Sequence, residues 1–516
     1  MKSFILIAAL AALCPAPDFE SAVLLLSGAS SLEELDESTI QHYRDLELRP
    51  LELNGASRSR LLSSGLFTAF QVASFLDWKE RSGDVLSYTE LGLIDGFTPE
   101  RAEALQLFTR LESSGPPGSR RSLKFRSDLM LRGAVKENDG LACAAGVRWK
   151  ASLGDCAEFN WASRTTYSDP RFGPGTMSAA WYGRWTLGKV VLGHFNARFG
   201  QGLAIWSGMT MSRYSSLAGF RRNGSGFSPT ASFTPEHCGV AADLDLGRWN
   251  VAAAYSFTAG QPMAAASYCG RTFTAGVFAS DRSVSADFKW GLKDTGLFGE
   301  VAWNGSPAAF AGVIWTPAYG RSYGLTACWN QGTGELAAGA SLKSLDAIIL
   351  LTTKQLRGVV KYAPVLRAGT SELKPALRLA ARRTDKWRLE GRGEFGLVTG
   401  RWTLNARGDL VHCKGLSGLV YMEGGYGSEK LKLWLRGTAF AVDNWDDRIY
   451  VYERDAPGNF NVPAYYGRGW SCSIAGGWKP SPNHSLYLRV SYLEYPWMST
   501  FKASKAEVKL QYGLKI

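Results

Sequence analysis

Lys505-Ala-Glu-Val-Lys-Leu-Gln-Tyr-Gly-Leu-Lys-Ile516 is the stretch whose reading decides the fold. Every even position from Ala506 to Ile516 is apolar, and every odd position from Lys505 to Lys515 is polar or glycine. Successive side chains on a β-strand point to opposite faces, so this segment has one apolar and one charged face. A long strand also needs partners on both edges, or its amides are left unpaired. At roughly 3.3 Å per residue and a tilt near 40°, such a segment crosses roughly 30 Å, the thickness of a hydrocarbon layer. It reads as the closing strand of a membrane β-barrel.

The pattern recurs upstream. Leu123, Phe125, Leu129 and Leu131 alternate with Lys124, Arg126, Asp128 and Arg132. Trp387, Leu389, Phe395 and Leu397 alternate with Arg388, Glu390, Arg392 and Glu394. The same holds around Trp402–Leu410, Leu431–Leu435 and Leu486–Tyr492. Soluble β-sandwiches and propellers also alternate, but their strands usually run to five or six residues, and no blade-like repeat is visible. Residues 122–516 are therefore expected to form one antiparallel transmembrane barrel of roughly 18 to 24 strands, at about 17 to 20 residues per strand with its connection.

Composition fits that reading. Glycine (57), tryptophan (18), tyrosine (20) and phenylalanine (25) are plentiful, and 20% of residues are charged. Aromatic residues belt the two interfaces of a membrane barrel, and glycines mark its turns. No apolar run approaches the roughly 20 residues of a transmembrane helix. The eight cysteines and five histidines show no metal-ligand spacing, and no nucleophile elbow, phosphate loop or recognisable carboxylate pair appears. A non-enzymatic protein without a cofactor is expected. The segment Asp446–Asp455, rich in acids and arginines beside Tyr450 and Tyr452, reads either as a site or as mutually paired loop charges.

The first part of the chain differs. Residues 1–22 read as a signal peptide: Lys2, an apolar core from Phe4 to Leu13, then small residues. Residues 29–113 carry 15 acidic and 8 basic side chains, a balance of −7, and residues 1–28 a balance of −1, so that the net +12 leaves +20 for residues 114–516. Glu33 to Asp45 reads as a helix. Two similar units follow: a short helix through Leu62, a turn over 63–67 and a helix from Thr68 to Arg81; then Leu86 to Ile94, a turn at Asp95-Gly-Phe97 and a helix from Pro99 to Leu111. Thr98 suits the N-cap and Pro99 the first helical turn. Residues 114–121, with Gly115-Pro-Pro-Gly118, read as a linker.

The Leu-Asn-x-Ala-Ser opening at 53–57 and the Leu-x-x-Ile-Asp-Gly-Phe turn at 91–97 resemble the tandem helix-hairpin-helix module of ComEA-type competence DNA receptors. With that front, the barrel pattern and its two irregular stretches, 198–236 and 446–467, the chain resembles a Bacteroidota-type outer-membrane barrel family. The fold class implied is α+β by domain, a small all-α domain followed by the barrel. In a helix-hairpin-helix unit the turn offers backbone N–H groups to phosphate. The resemblance therefore implies nucleic-acid contact through Ser64, Gly65, Leu66, Asp95, Gly96 and Phe97. Both turns, Gly65-Leu66-Phe67 and Gly96-Phe97-Thr98, lack the second glycine of the usual pattern, and the module is net acidic. Docking of a periplasmic or outer-membrane protein is the alternative use. On the barrel's charged face, Arg378, Arg382, Arg388, Arg392, Arg401, Arg407, Arg436 and Arg489 are expected to make a basic lumen suited to DNA or another polyanion, or one sealed by charge networks. The location implied is the outer membrane of a diderm bacterium, in contact with its lipid, with the front domain in the periplasm. Opposite charges on a short tether predict that Glu33, Glu34, Asp36 and Glu37 dock the front domain on the rim or inside the lumen.

Overall fold

A computed structural model describes residues 19–516 except 36, 112–123, 139, 155, 184–185, 209–212, 319, 370 and 499–503. Most of the expected signal peptide, the expected linker and Asp36 lie outside the described residues.

The front region is helical. Helices span Phe19–Ser27, Glu37–Leu48, Arg58–Ser63, Ala69–Ser82, Tyr88–Leu91 and Pro99–Leu105, with a 3-10 turn at Leu32–Glu34. Four of them start on a side-chain cap. Ser57, Thr68, Ser87 and Thr98 accept from the amides of Arg60, Gln71, Glu90 and Arg101, and Gln71 closes a capping box back onto Thr68. The two repeats share one core, in which Leu53, Leu61, Phe75, Leu91, Leu105 and Phe108 are buried. Asn54 ties them together, donating to the carbonyls of Val85 (2.9 Å) and Leu111 (2.8 Å) and accepting from the Val85 amide (3.1 Å).

Two helix boundaries differ from expectation. The helix expected from Glu33 begins at Glu37, because Glu33 and Glu34 turn outward to meet barrel arginines. The last helix ends at Leu105 rather than Leu111. The Thr109 hydroxyl bonds back to the Leu105 carbonyl (2.8 Å), and Thr109–Arg110 pairs in parallel with Leu51–Glu52, clasping the two ends of the repeat region.

The rest is a closed barrel of 24 antiparallel strands among the described residues. The last strand, Lys505–Lys515, pairs on one side with His484–Glu494 and on the other with the first, Phe125–Glu137, from Asp128↔Lys515 to Glu137↔Ala506. No edge remains open between first and last strands. Leu410, Leu435, Leu488, Val508 and Leu510 point outward and are exposed, and Trp249, Trp303, Trp329, Trp402 and Trp478 sit exposed near the strand ends. An apolar belt flanked by aromatic residues is what a strand barrel needs to sit in a bilayer. At the end where the first strand begins, connections are mostly tight; Gly400 supplies the left-handed conformation (φ 56°) of one two-residue turn. The long connections, 165–175, 199–225, 443–463 and 495–504, all lie at the other end.

The lumen is filled from both ends. From the tight-turn end, the helical region packs against inward-facing strand residues. From the long-loop end, the 199–225 loop folds in: the amides of Gln201 (2.6 Å) and Leu203 (3.1 Å) donate to Glu300, and Phe220 is buried with Phe298, Phe310 and Ile348. The 443–466 loop packs Ile449, Val451 and Tyr465 against Val411, Phe440 and Val442. Loop and helical region meet where the Ser216 hydroxyl donates to the Gly28 carbonyl. Gly28 must be glycine there: its φ is +73°, and a Cβ would stand 2.8 Å from that of Ala218.

Candidate functional site: the charged lumen

Alternation turns every second strand residue inward, which is why charged residues line the lumen. Six of the eight arginines named from the sequence are inward and paired. Arg392 and Arg407 share Asp409 (2.9 and 2.6 Å) and both reach Glu33 of the helical region (3.5 and 2.5 Å). Arg378 lies between Glu34 (3.9 Å) and Glu390 (3.4 Å). Arg388 bonds Glu390 (2.6 Å) and the carbonyls of Asp446 and Arg448. Arg436 meets Glu423 (2.5 Å) and the Tyr452 carbonyl (2.7 Å), and Arg489 meets Glu453 and Glu507. Arg382 and Arg401 are exposed, Arg382 near the end of its strand and Arg401 in a turn.

The charges of Asp446–Asp455 are likewise spent within the fold. Asp447 accepts from the amides of Lys414 and Gly415, Arg454 pairs with Glu20 and Glu423, and Asp455 pairs with Lys509 (2.7 Å).

The carboxylates of the helical region are distributed around the wall. Glu33 and Glu34 face Arg407, Arg392, Arg378 and Arg357; Glu37 meets Arg164 (3.2 Å), Asp45 meets Lys150, and Glu52 lies 3.6 Å from Arg126. Reverse pairs lock the same interface, Arg49 with Asp128 and Arg60 with Glu158 (2.8 Å). The expected docking through Glu33, Glu34 and Glu37 is thus the observed one, inside the lumen. Burial alone pushes the Glu33 carboxyl up; Arg392, Arg407 and the hydrogen bonds from Arg407 and the Tyr452 amide outweigh it and hold it well below the ordinary range.

The hairpin turns occupy different settings. Ser64 is buried, and its carbonyl lies 2.6 Å from Nε2 of His42. In this first turn the amides of Gly65 and Leu66 are already bonded, to the Leu62 carbonyl and the Ser64 hydroxyl, and the Leu66 carbonyl accepts from Arg101. In the second turn Asp95 and Gly96 are exposed, the Gly96 carbonyl accepts from Gln71 (2.7 Å), and Phe97 is buried 6.0 Å from Phe67.

Between the helical region and the wall built by Phe125–Glu137, Leu141–Leu153 and Ala157–Arg164 lies a cavity of about 780 Å³. Arg148, Lys150, Arg164, Asn160 and Phe233 are among its lining, together with Ser63, Ser64 and Gly65 of the first turn. His42 also lines it; burial outweighs the Ser64 carbonyl and Asp45, which favour the charged ring, and holds its imidazole below the usual value. Arg148, Lys150 and Arg164 escaped the sequence reading, although Val147 and Trp149 alternate with Arg148 and Lys150.

No family model matches the chain, and no curated protein matches it. Solved structures similar to it include Pseudomonas aeruginosa OccK5 (OpdH), at 10% identity and TM-score 0.31, covering 76% of this chain and 98% of that one. P. aeruginosa OccK2 (OpdF) in complex with glucuronate is 10% identical, with TM-score 0.33 and coverage of 77% and 100%. A BenF-like porin from Pseudomonas fluorescens Pf-5 is 11% identical, with TM-score 0.33 and coverage of 76% and 99%.

Proposed function

We propose that this protein is an outer-membrane channel or receptor for anionic cargo, DNA or another polyanion included, held closed by its own helical region. One observation carries the reading: the carboxylates of an acidic N-terminal region are paired, from inside, with the cations of a barrel lumen. Displacing that region exposes a basic surface along the path. On this reading the tight-turn end faces the periplasm and the long loops face outward, the usual arrangement of such barrels. The front region then keeps the plan of a ComEA-type helix-hairpin-helix module within a Bacteroidota-type barrel.

Selectivity tests the proposal. In planar bilayers under a salt gradient, the barrel lacking residues 29–111 should give a reversal potential of anion-selective sign. A cation-selective pore would refute it. For nucleic acid, the second turn is the one with exposed residues, Asp95 and Gly96, and filter binding of duplex DNA to the purified chain at low salt measures that contact. Absence of binding at low salt, where phosphate attraction is strongest, removes DNA contact through the helical region.

A second reading has its own support. Leu86 and Leu93 of the second repeat are 82% and 73% exposed. Such a pair fits docking of a protein partner, making the chain an assembly scaffold. Leu86→Ser with Leu93→Ser should then abolish co-purification of that partner from outer-membrane extracts while leaving conductance unchanged.

A further inference from the structure

The early wall carries cations at successive levels. Strand register places Arg126 beside Ser152, Asp128 beside Lys150, Met130 beside Arg148, and Arg132 beside Gly146, which in turn pairs with Arg164. Two residues separate each level, roughly 6.6 Å along a strand. At three of these levels a carboxylate of the helical region answers the cation: Glu52 to Arg126, Asp45 to Lys150 and Glu37 to Arg164.

Arg148 breaks the series. Its side chain is buried, 7% exposed, yet Nε and Nη1 have no hydrogen-bond partner and no carboxylate lies within ion-pair distance among the described residues. Asp45 and Glu37 lie near enough to act on its charge, but they bond Lys150 and Arg164 instead. A buried guanidinium with open donors is costly unless something accepts from it. Arg148 lines the 780 Å³ cavity, and Phe233 covers both Arg148 (5.3 Å) and Arg164 (4.2 Å) from guanidinium carbon to ring centroid. Asn160, Ser228 and Thr230 add polar lining.

We propose that Arg148 is the anchor of a binding site for a small hydroxylated anion, a sugar phosphate or sugar carboxylate, whose charged oxygens accept from its open N–H groups. A planar guanidinium suits either oxyanion. The cavity is far larger than one oxyanion, and the polar lining leaves room for a hydroxylated body. The site deepens the anionic-cargo reading by placing a resting point on the path, where the carboxylates of the helical region occupy the neighbouring levels.

Calorimetric titration of the full chain in detergent tests it, with glucose 6-phosphate, gluconate and glucose as probes. One or both anions should bind saturably and glucose should not; which anion binds distinguishes phosphate from carboxylate. Arg148→Met should weaken that binding by roughly tenfold to a hundredfold, as expected for hydrogen bonds to a charged group. Arg148→Lys should recover part of it, and Arg382→Met, an exposed arginine elsewhere, should leave it unchanged. Heat-modifiable gel migration confirms that each variant is a folded barrel; if Arg148→Met does not fold, the lysine variant, weaker than wild type, carries the test. Equal binding of glucose, no anion binding by wild type, or anion binding insensitive to both Arg148 substitutions overturns the site. Binding without anion-selective conductance leaves the site standing and refutes the channel reading alone.

Discussion

Glu33→Gln is the most informative single change in the lumen. The carboxylate accepts from Arg407 (2.5 Å) and from the Tyr452 amide (3.1 Å), and lies 3.5 Å from Arg392. Its side chain is 11% exposed, so these contacts are little screened. Breaking a buried ion pair outright costs roughly 3–5 kcal/mol because a lone charge is left behind. Here both arginines keep Asp409, at 2.9 and 2.6 Å, so neither is orphaned. The amide also retains an acceptor. The loss is therefore nearer that of a charge-assisted hydrogen bond, about 1.5–3 kcal/mol. At about 1.4 kcal/mol per factor of ten, the released state of the helical region should become roughly ten to a hundred times more populated. Hydrogen exchange of backbone amides reads this directly, since exchange tracks the population of the open form. Amides of Arg58–Ser63 and Ala69–Ser82 should exchange faster by that factor, while those of the Trp402–His412 strand hold their rate. A change under about twofold in the helices, or an equal acceleration in the barrel, would show that Glu33 does not anchor the region.

Acidification should loosen the same interface in two stages. Burial holds the His42 imidazole below its ordinary value of 6.5, so its contribution is present above that pH and is lost as pH falls below it. For Glu33 the contribution is present above the ordinary 4.5 and is lost progressively as pH falls below it; helix protection factors, corrected for the pH dependence of intrinsic exchange, that stay flat from about pH 7 to about 3 would contradict both. Phe108→Ala empties a fully buried position in the helical core and should cost about 3–5 kcal/mol, lowering the thermal transition of the helical signal ahead of the barrel's. Leu435→Arg places a charge near the middle of an outward strand face where the leucine is 58% exposed. It should cost about 2–4 kcal/mol of barrel stability in lipid, seen as a lower folded yield in vesicles, with wild-type yield refuting a lipid-facing belt.

Much of this architecture was legible because strand geometry writes itself into sequence with a period of two. Lys505–Ile516, Trp387–Leu397 and Leu431–Leu435 alternate cleanly, and their apolar sides are the exposed belt. The count of 24 falls at the top of the expected range because some strands are short: Thr176–Tyr182 and Leu356–Tyr362 have 7 residues each. Trp249–Ser256 and Gln261–Cys269 were illegible because alanine occupies both of their faces. Thr98 and Pro99 located the start of the last helix, and tethered opposite charge pointed to docking on the rim or inside the lumen. Where Glu33 would land was not legible, since its partners Arg392 and Arg407 lie more than 350 positions away in the chain, and only closure of the barrel brings them together. Nor does any local pattern tell that 199–225 and 443–466 fold inward, because their anchors, Glu300 and Phe440, belong to other strands. Arg148 looks like its neighbours in sequence; only the three-dimensional pairing of Lys150 and Arg164 with other carboxylates leaves it open.

The account turns on the helical region closing the lumen, and single-channel conductance in planar bilayers tests that most directly. The full chain should be nearly silent, and the chain lacking residues 29–111 should open in stable steps of a size limited by the 199–225 and 443–466 loops that remain in the lumen, with Glu33→Gln giving intermittent openings between them. Equal conductance with and without the helical region would contradict the account, because the pore would then owe nothing to the ion pairs that hold that region in place.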